Sequence, residues 1–355
     1  MTFPEGEDSP VILEYVIADY RRINMITRTY VVNFEPKSAE ECPVRCICIW
    51  DSSKMIPPCP DLALTPVAIC RDPFRLGRHK IVLCEARYVD KPDKIVEFNT
   101  RIACKEMMDK VADKEPLYTF EQEYFVVDEN DVPLDWSHYS QEIDFDFEIN
   151  VGSHSCIERD LAETHLRACL YAGLTISGMN REMFPSQWEY QVGPLPGLEA
   201  CDQVYISRYI LMRLAEMNNL HVTFKNPDCT RDTKVRSAMH LNFSTKQTRE
   251  DGGIEHLHKL IENVEKHPQE AIMKYYDLKK GKEMRWFLSG IAYMPHYDEF
   301  ICKVGEKDGC TIRIPARVAF EGKGYLEERR PTSDSDPYDV CRVFTAAAVF
   351  EANGL

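Results

Sequence analysis

Polar and apolar positions alternate through SQWEYQVGP, residues 186–194. Gln187, Glu189 and Gln191 fall on one side, and Trp188, Tyr190 and Val192 on the other. A two-residue period predicts a half-buried strand, here with a carboxylate on its polar face and Gly193-Pro194 at its end. Further strands are predicted at LYTFEQEYFVV (117–127), HVTF (221–224), AMHLNFST (238–245), CTIRIP (310–315) and YLEERRP (325–331). Helical spacing interleaves with them. In RIACKEMMDKVADK (101–114), Ile102, Ala103, Met107, Met108 and Val111 share one helical face. Helices are also predicted at IERDLAETHLRACLYAGL (157–174), DQVYISRYILMRLAEMNN (202–219) and GGIEHLHKLIENVEKH (252–267). Residues 10–90 read differently, as short runs of strand (VILEYVIADY, TRTYVVNFEP, PVRCICIW, HKIVLCEARYV) broken by proline and charged turns. The polar stretch DKPDKIVEFNT marks a boundary near residue 96. The expected architecture is α+β: a small β-rich domain over 10–95, then a domain over 96–355 built on a large, mainly antiparallel sheet with flanking helices.

Composition narrows the function classes. The 355 residues carry 43 Lys and Arg against 58 Asp and Glu, a net charge of −15, which speaks against a nucleic-acid surface. No apolar run is long enough to span a membrane, and the acidic start MTFPEGEDSPVILEY lacks the basic, apolar pattern of a secretory signal. The fourteen cysteines are scattered through apolar runs, as reduced buried thiols are, so a cytoplasmic address is expected. Cys42, Cys46 and Cys48 cluster, but without a fourth ligand they make a weak zinc signal.

The polar strand faces carry the chemistry. Glu121 and Glu123 lie two apart and project from one side of a strand. Glu189 lies on a second, His240 and Asn242 on a third, Arg313 on a fourth, and Tyr325, Glu327 and Arg329 on a fifth. Carboxylates gathered on one side repel unless cations neutralise them. Oxygen ligands with one imidazole suit Mg²⁺ or Mn²⁺, and the arginines suit phosphate oxygens. The residues alone thus suggest a divalent-metal nucleotide site for phosphoryl transfer. The competing account, carboxylates on solvated sheet faces, weakens as the pattern recurs on successive strands.

The segments RDPFR (71–75), KIVLCE (80–85), EQEY (121–124), HLRACLYAG (165–173), PSQWEYQVGP (185–194), HLNFSTK (240–246), IRIP (312–315) and YLEERRPTSDSDPY (325–338) resemble eukaryotic-type glutamine synthetases over nearly the whole chain. The resemblance implies an N-terminal β-grasp domain, a C-terminal catalytic domain, and rings of subunits with active sites between neighbours. It also implies ATP-dependent chemistry, in which glutamate becomes γ-glutamyl phosphate and ammonia displaces the phosphate. Carried over residue by residue, it assigns Glu121, His240 and Glu327 to the metal near the nucleotide phosphates. It assigns Glu123 and Glu189 to the metal near glutamate, Asn242, Ser244 and Arg313 to the nucleotide, Arg329 to substrate and, weakly, Asp51 to ammonium.

Six positions depart from the family pattern. The third glutamate-side metal ligand belongs in GPxEG; this chain has GPLPG, with Pro196 in its place, and Glu199 lies three residues on. NGAGxH reads VRSAMH, so Val235 and Arg236 stand where a small, close-approach segment is expected. Tyr293 replaces the flap glutamate, and Phe287 replaces a substrate-holding arginine, with Arg285 nearby. Asp308 falls at or beside a phosphate-side arginine. The departures concentrate on glutamate, ammonium and the second metal. They imply a divergent homologue with impaired or lost ligation, a pseudoenzyme that keeps its metal–nucleotide site and joins rings of itself or of an active relative. Two alternatives remain open: a working synthetase using Glu199, Lys307 and Arg285 as substitutes, or a same-fold ligase with another substrate.

Overall fold

The structure is a computed structural model describing residues 6, 9–18, 25–48, 61–91, 93–96, 98–134, 136, 158–182, 184–230, 237–276, 299–306 and 309–350. Its N-terminal part is a five-stranded sheet of β1 (Val11–Ala18), β2 (Met25–Val32), β3 (Arg45–Cys48), β4 (Asp61–Arg71) and β5 (Lys80–Tyr88), in the order β2-β1-β5-β4-β3. β1 and β5 run parallel at its centre, and the other pairs are antiparallel. Alternation along β1 divides its side chains between two cores. Val11, Leu13, Tyr15 and Ile17 pack on one side with Leu62, Leu64, Val82 and Cys84, while Val16 joins Ile81 and Leu83 against the rest of the molecule. β4 is not among the strands expected from the sequence, because Pro66 interrupts it. The structure tolerates the proline at a register shift against β5, beyond the stretch Asp61–Leu64 that pairs with β3.

The second sheet has the order β11-β12-β13-β10-β6-β8-β7, with β9 also on β6. Its strands are β6 (Leu117–Val127), β7 (Ile176–Arg181), β8 (Gln187–Leu195), β9 (His221–Thr223), β10 (Met239–Ser244), β11 (Cys302–Val304), β12 (Ile312–Ile314) and β13 (Leu326–Glu328). Only β11 and β12 pair in parallel, so the expected mainly antiparallel sheet is present. One face carries Tyr118, Phe120, Tyr124, Trp188, Tyr190, Val192, Leu241, Phe243 and Leu326 into the main core. Against that core pack α1 (Arg101–Lys110), α2 (Arg159–Ala172), α3 (Gly197–Met217), α5 (Gly253–Lys266), α6 (Gln269–Tyr276) and α8 (Pro337–Val349). Two short helices, α4 (Lys246–Arg249) and α7 (Ala316–Glu321), complete the described α-helices.

α3 is buried nearly all round, so its polar residues must be paired. Asp202 accepts two bonds of 2.8 Å from Arg101, and the Ser207 hydroxyl donates to Tyr190 Oη at 3.0 Å. Arg208 donates to Gln122 Oε1 and to the carbonyls of Ser333 and Ser335. These bonds tie α3 to α1, to β8 and, through Gln122, to the back of β6. β8 passes close to β6 at Gly193, where φ is +118° and a Cβ would lie 2.4 Å from the Tyr118 carbonyl oxygen. Only glycine fits there.

Candidate functional site

The other face of the second sheet is polar, and strand register assembles it. Glu121 lies opposite Gln191 on one side and His240 on the other. Glu123 is paired with Glu189, and Asn242 and Arg313 both lie opposite Glu327. The two-residue period thus places the sequence-identified carboxylates and imidazole on a common face, and the pairing brings them into contact.

Two clusters result. In the first, ligand atoms of Glu121, Glu189 and His240 all lie within 4.8 Å of one another. His240 Nδ1 is 3.4 Å from Glu121 Oε2 and 3.6 Å from Glu327 Oε1. Glu327 is held by Arg313 at 2.9 Å and by a short bond from Arg329. Asn242 Nδ2 donates to Glu121 Oε1 at 2.7 Å. Burial works against the Glu121 charge, but the hydrogen bond and charge of His240, then Asn242 and Arg329, outweigh it and hold the carboxyl down at about 2.

The second cluster is Glu123, Glu182 and Glu189, again within 4.8 Å, so Glu189 belongs to both. Glu123 Oε2 accepts from Gln187 Nε2 and from the Ala238 backbone N–H, both at 2.9 Å. Gln191 Nε2 donates to Glu189 Oε1 at 2.5 Å. Burial, then the neighbouring Glu182 and Glu189 charges, pushes the Glu123 carboxyl well above its ordinary range. Burial, then Glu121 and Glu182, raises Glu189 to about 8. Such crowded carboxyls are what a divalent cation would relieve, and an all-oxygen set is the chemistry hard cations prefer.

Glu182 escaped the sequence reading. It stands one residue beyond β7, a strand the sequence reading did not identify, and its backbone N–H donates to the Gln187 carbonyl at 2.9 Å. Since Arg181 pairs with Trp188 in the register, Glu182 falls opposite Gln187 and shares the Gln187–Glu189 face. Recognising the hairpin would have found it. Asn180 Nδ2 anchors its carboxylate at 3.1 Å.

A cleft of about 310 Å³ adjoins the first cluster, lined by Glu121, Gln191, Pro194, Asn242, Ser244 and Tyr325 among others. Ser244 itself accepts from Arg249 at 3.0 Å. Arg313 Nε and Arg329 Nε are buried donors with no hydrogen-bond acceptor among the described residues. Orphaned guanidinium donors beside carboxylates of a candidate cation site suit the oxygens of a phosphate.

Pro196 is the exposed N-cap residue of α3. Glu199, one turn into α3, accepts from Gln203 at 3.3 Å and joins neither cluster. Cys42 is buried and donates weakly to the Ser38 carbonyl, whereas Cys46 is exposed. Asp51, Val235, Arg236, Arg285, Phe287, Tyr293, Lys307 and Asp308 lie outside the described residues.

Comparison with known proteins identifies the family. Residues 98–255 match the family described as the catalytic domain of glutamine synthetase. The chain is 38% identical to glutamine synthetase of Panulirus argus over 92% of its own length and 89% of that protein. It is 35% identical to the Gallus gallus glutamine synthetase over its whole length and 93% of that protein. With the mitochondrial glutamine synthetase 1 of Drosophila melanogaster it shares 40% identity over 79% of this chain and 69% of the other.

Proposed function

The chain belongs to the glutamine synthetase family, and from that premise we propose that it binds a Mg²⁺- or Mn²⁺-nucleotide, ATP above all, while its joining of glutamate to ammonia is impaired or lost. A structural or regulatory role follows, in rings of itself or with an active relative, and a cytoplasmic address is part of the reading. The observation that carries it is the contrast across one sheet. The nucleotide side is fully furnished with Glu121, His240, Glu327 and Asn242, while the place of the third glutamate-side ligand is taken by an exposed proline at the start of α3. No side-chain rotamer of Pro196 supplies a donor.

The residues present fit the cations the family implies. Glu121, His240 and Glu327 would hold one ion, and Glu123 and Glu189 contribute to a second. Bound there, such ions would supply positive charge to offset that of phosphate oxygens. The unused Nε–H groups of Arg313 and Arg329 would suit phosphate oxygens; register sets Arg313 opposite Glu327, and Arg329 lies two residues beyond it. Asn242 fixes the orientation of Glu121.

A second reading, active ATP-dependent glutamate–ammonia ligation, is favoured by one observation. Glu182 brings a third carboxylate to Glu123 and Glu189 from the β7–β8 hairpin. Two measurements on the purified protein separate the readings. Mg²⁺–ATP should raise the melting temperature, by the equivalent of about 2.7 kcal/mol at a hundredfold excess over Kd, and Glu327→Ala should remove the shift. If no nucleotide shifts the wild-type protein, both readings fall. Glutamine synthesis assayed with Mg²⁺ and Mn²⁺ should stay near background. Robust synthesis that disappears in Glu182→Gln would establish the second reading instead.

A further inference from the structure

On the opposite side of the second sheet, three helices meet with one cysteine each. Cys104 on α1, Cys201 on α3 and Cys341 on α8 are all fully buried, and their Sγ atoms lie within 4.8 Å of one another. A fourth sulfur is at hand: Met108 Sδ, one turn beyond Cys104 on α1, is 3.9 Å from Cys341 Sγ. The packing around them is close. A Cβ on Gly197, the first residue of α3, would lie 2.5 Å from Met108 Sδ and 2.8 Å from Cys341 Sγ. The absence of a side chain at that position is what lets the sulfurs gather. The hydroxyls of Tyr118 and Thr345 bond each other at 2.6 Å and also border the Cys341 thiol. Thr345 donates to the Cys341 carbonyl at 2.6 Å, and the Cys201 thiol donates to the Pro337 carbonyl at 3.2 Å, a bond that metal binding would replace.

We propose that Cys104, Cys201 and Cys341, with the Met108 thioether as neutral fourth donor, form a structural site for one thiophilic d¹⁰ cation, Zn²⁺ or Cu⁺. Tetrahedral Zn–S bonds of about 2.3 Å require sulfurs about 3.8 Å apart. The observed cluster reaches that by shifts of well under an ångström per side chain. Soft thiolate and thioether ligands select such ions over the hard cations that suit the carboxylate face. The ligands come from three helices distant in sequence, so the ion is captured as α1, α3 and α8 dock, and its binding energy becomes folding energy. The site is independent of the proposed catalytic chemistry, since the whole sheet separates the two.

The test uses the full chain, expressed with zinc or copper supplied and purified anaerobically. Elemental analysis should find about one zinc or copper per chain, retained through dialysis against a chelator, and its identity settles which ion the site takes. Protein refolded with Co²⁺ should show thiolate-to-metal charge-transfer absorption. That band should vanish in Cys104→Ala/Cys201→Ala/Cys341→Ala and persist in Glu123→Gln/Glu189→Gln. Wild-type protein that is folded, free of thiophilic metal and without the Co²⁺ band would overturn the proposal, leaving three packed thiols. So would metal retained at full occupancy in the triple-alanine variant. Both wild-type readouts hold even if that variant fails to fold.

Discussion

Glu182 donates its backbone N–H to Gln187 and takes a hydrogen bond from Asn180 on its carboxylate, so two anchors set its reach toward Glu123 and Glu189. Glu182→Gln keeps the shape and the Asn180 contact but removes the charge. If this carboxylate serves the second cation, Mn²⁺ titration followed by electron paramagnetic resonance should show the weaker equivalent lose affinity about tenfold or more, with the tighter one unchanged. Equal binding in both proteins would show that Glu182 is a bystander. Glu189 makes a pH prediction. Its folded-state carboxyl is raised to about 8 against an ordinary value of 4.5. Between those values the unfolded chain is ionised and the folded one still holds its proton, so without metal this group lowers stability progressively as pH rises from 4.5 to 8. The destabilisation is absent below that window and holds its full value above it. Glu189→Gln should therefore flatten the pH dependence of the metal-free melting temperature across this range, and an unaltered slope would refute the assignment.

At the scale of elements, α3 does more than cover the sheet. Arg208 crosses from it to Gln122 on β6 and to the carbonyls of Ser333 and Ser335, with almost none of its surface exposed. Gln122 faces the core between Glu121 and Glu123, so the same residue that receives Arg208 fixes the strand that aims both carboxylates. Arg208→Leu would leave the Gln122 oxygen and two carbonyls without their donor. A loss of about 3 kcal/mol or more is expected in urea unfolding, together with weaker Mg²⁺–nucleotide binding. Unchanged stability would mean that the loop carbonyls find other donors.

Among the described residues, exposed apolar side chains occur at several places. Around the N-terminal sheet Val31, Phe34 and Val44 are exposed, and on α7 Phe320 is 92% exposed. If such side chains join into contiguous patches, a partner would cover them, and the family assembles into rings. Light scattering coupled to size exclusion should show a closed oligomer at micromolar concentration, and Val31→Asp/Phe34→Asp should shift it toward smaller species. A stable monomer, alone and mixed with an active relative, would remove the assembly from the reading. Among the described residues no helix is long and apolar enough to cross a membrane.

What the chain alone determined is local. Alternation in EQEY, QWEYQ and MHLNFS assigned each side chain to the core or to the polar face, because successive residues of a strand point opposite ways whatever lies beside them. The strand faces and the family motifs single out Glu121, Glu123, Glu189, His240, Arg313, Glu327 and Arg329 from the sequence. Several elements escaped. Pro66 disguised β4, β7 is short and carries a glycine, and α8 is apolar on nearly every side, so no periodicity marks it. Only the tertiary structure decided who meets whom. Glu182 joins Glu123 through hairpin register, Arg313 reaches Glu327 from the neighbouring strand β12, and Cys104, Cys201 and Cys341 arrive from three separate helices. Periodicity records the direction of a side chain but not its neighbour across space, which the pairing of strands and the docking of helices alone supply.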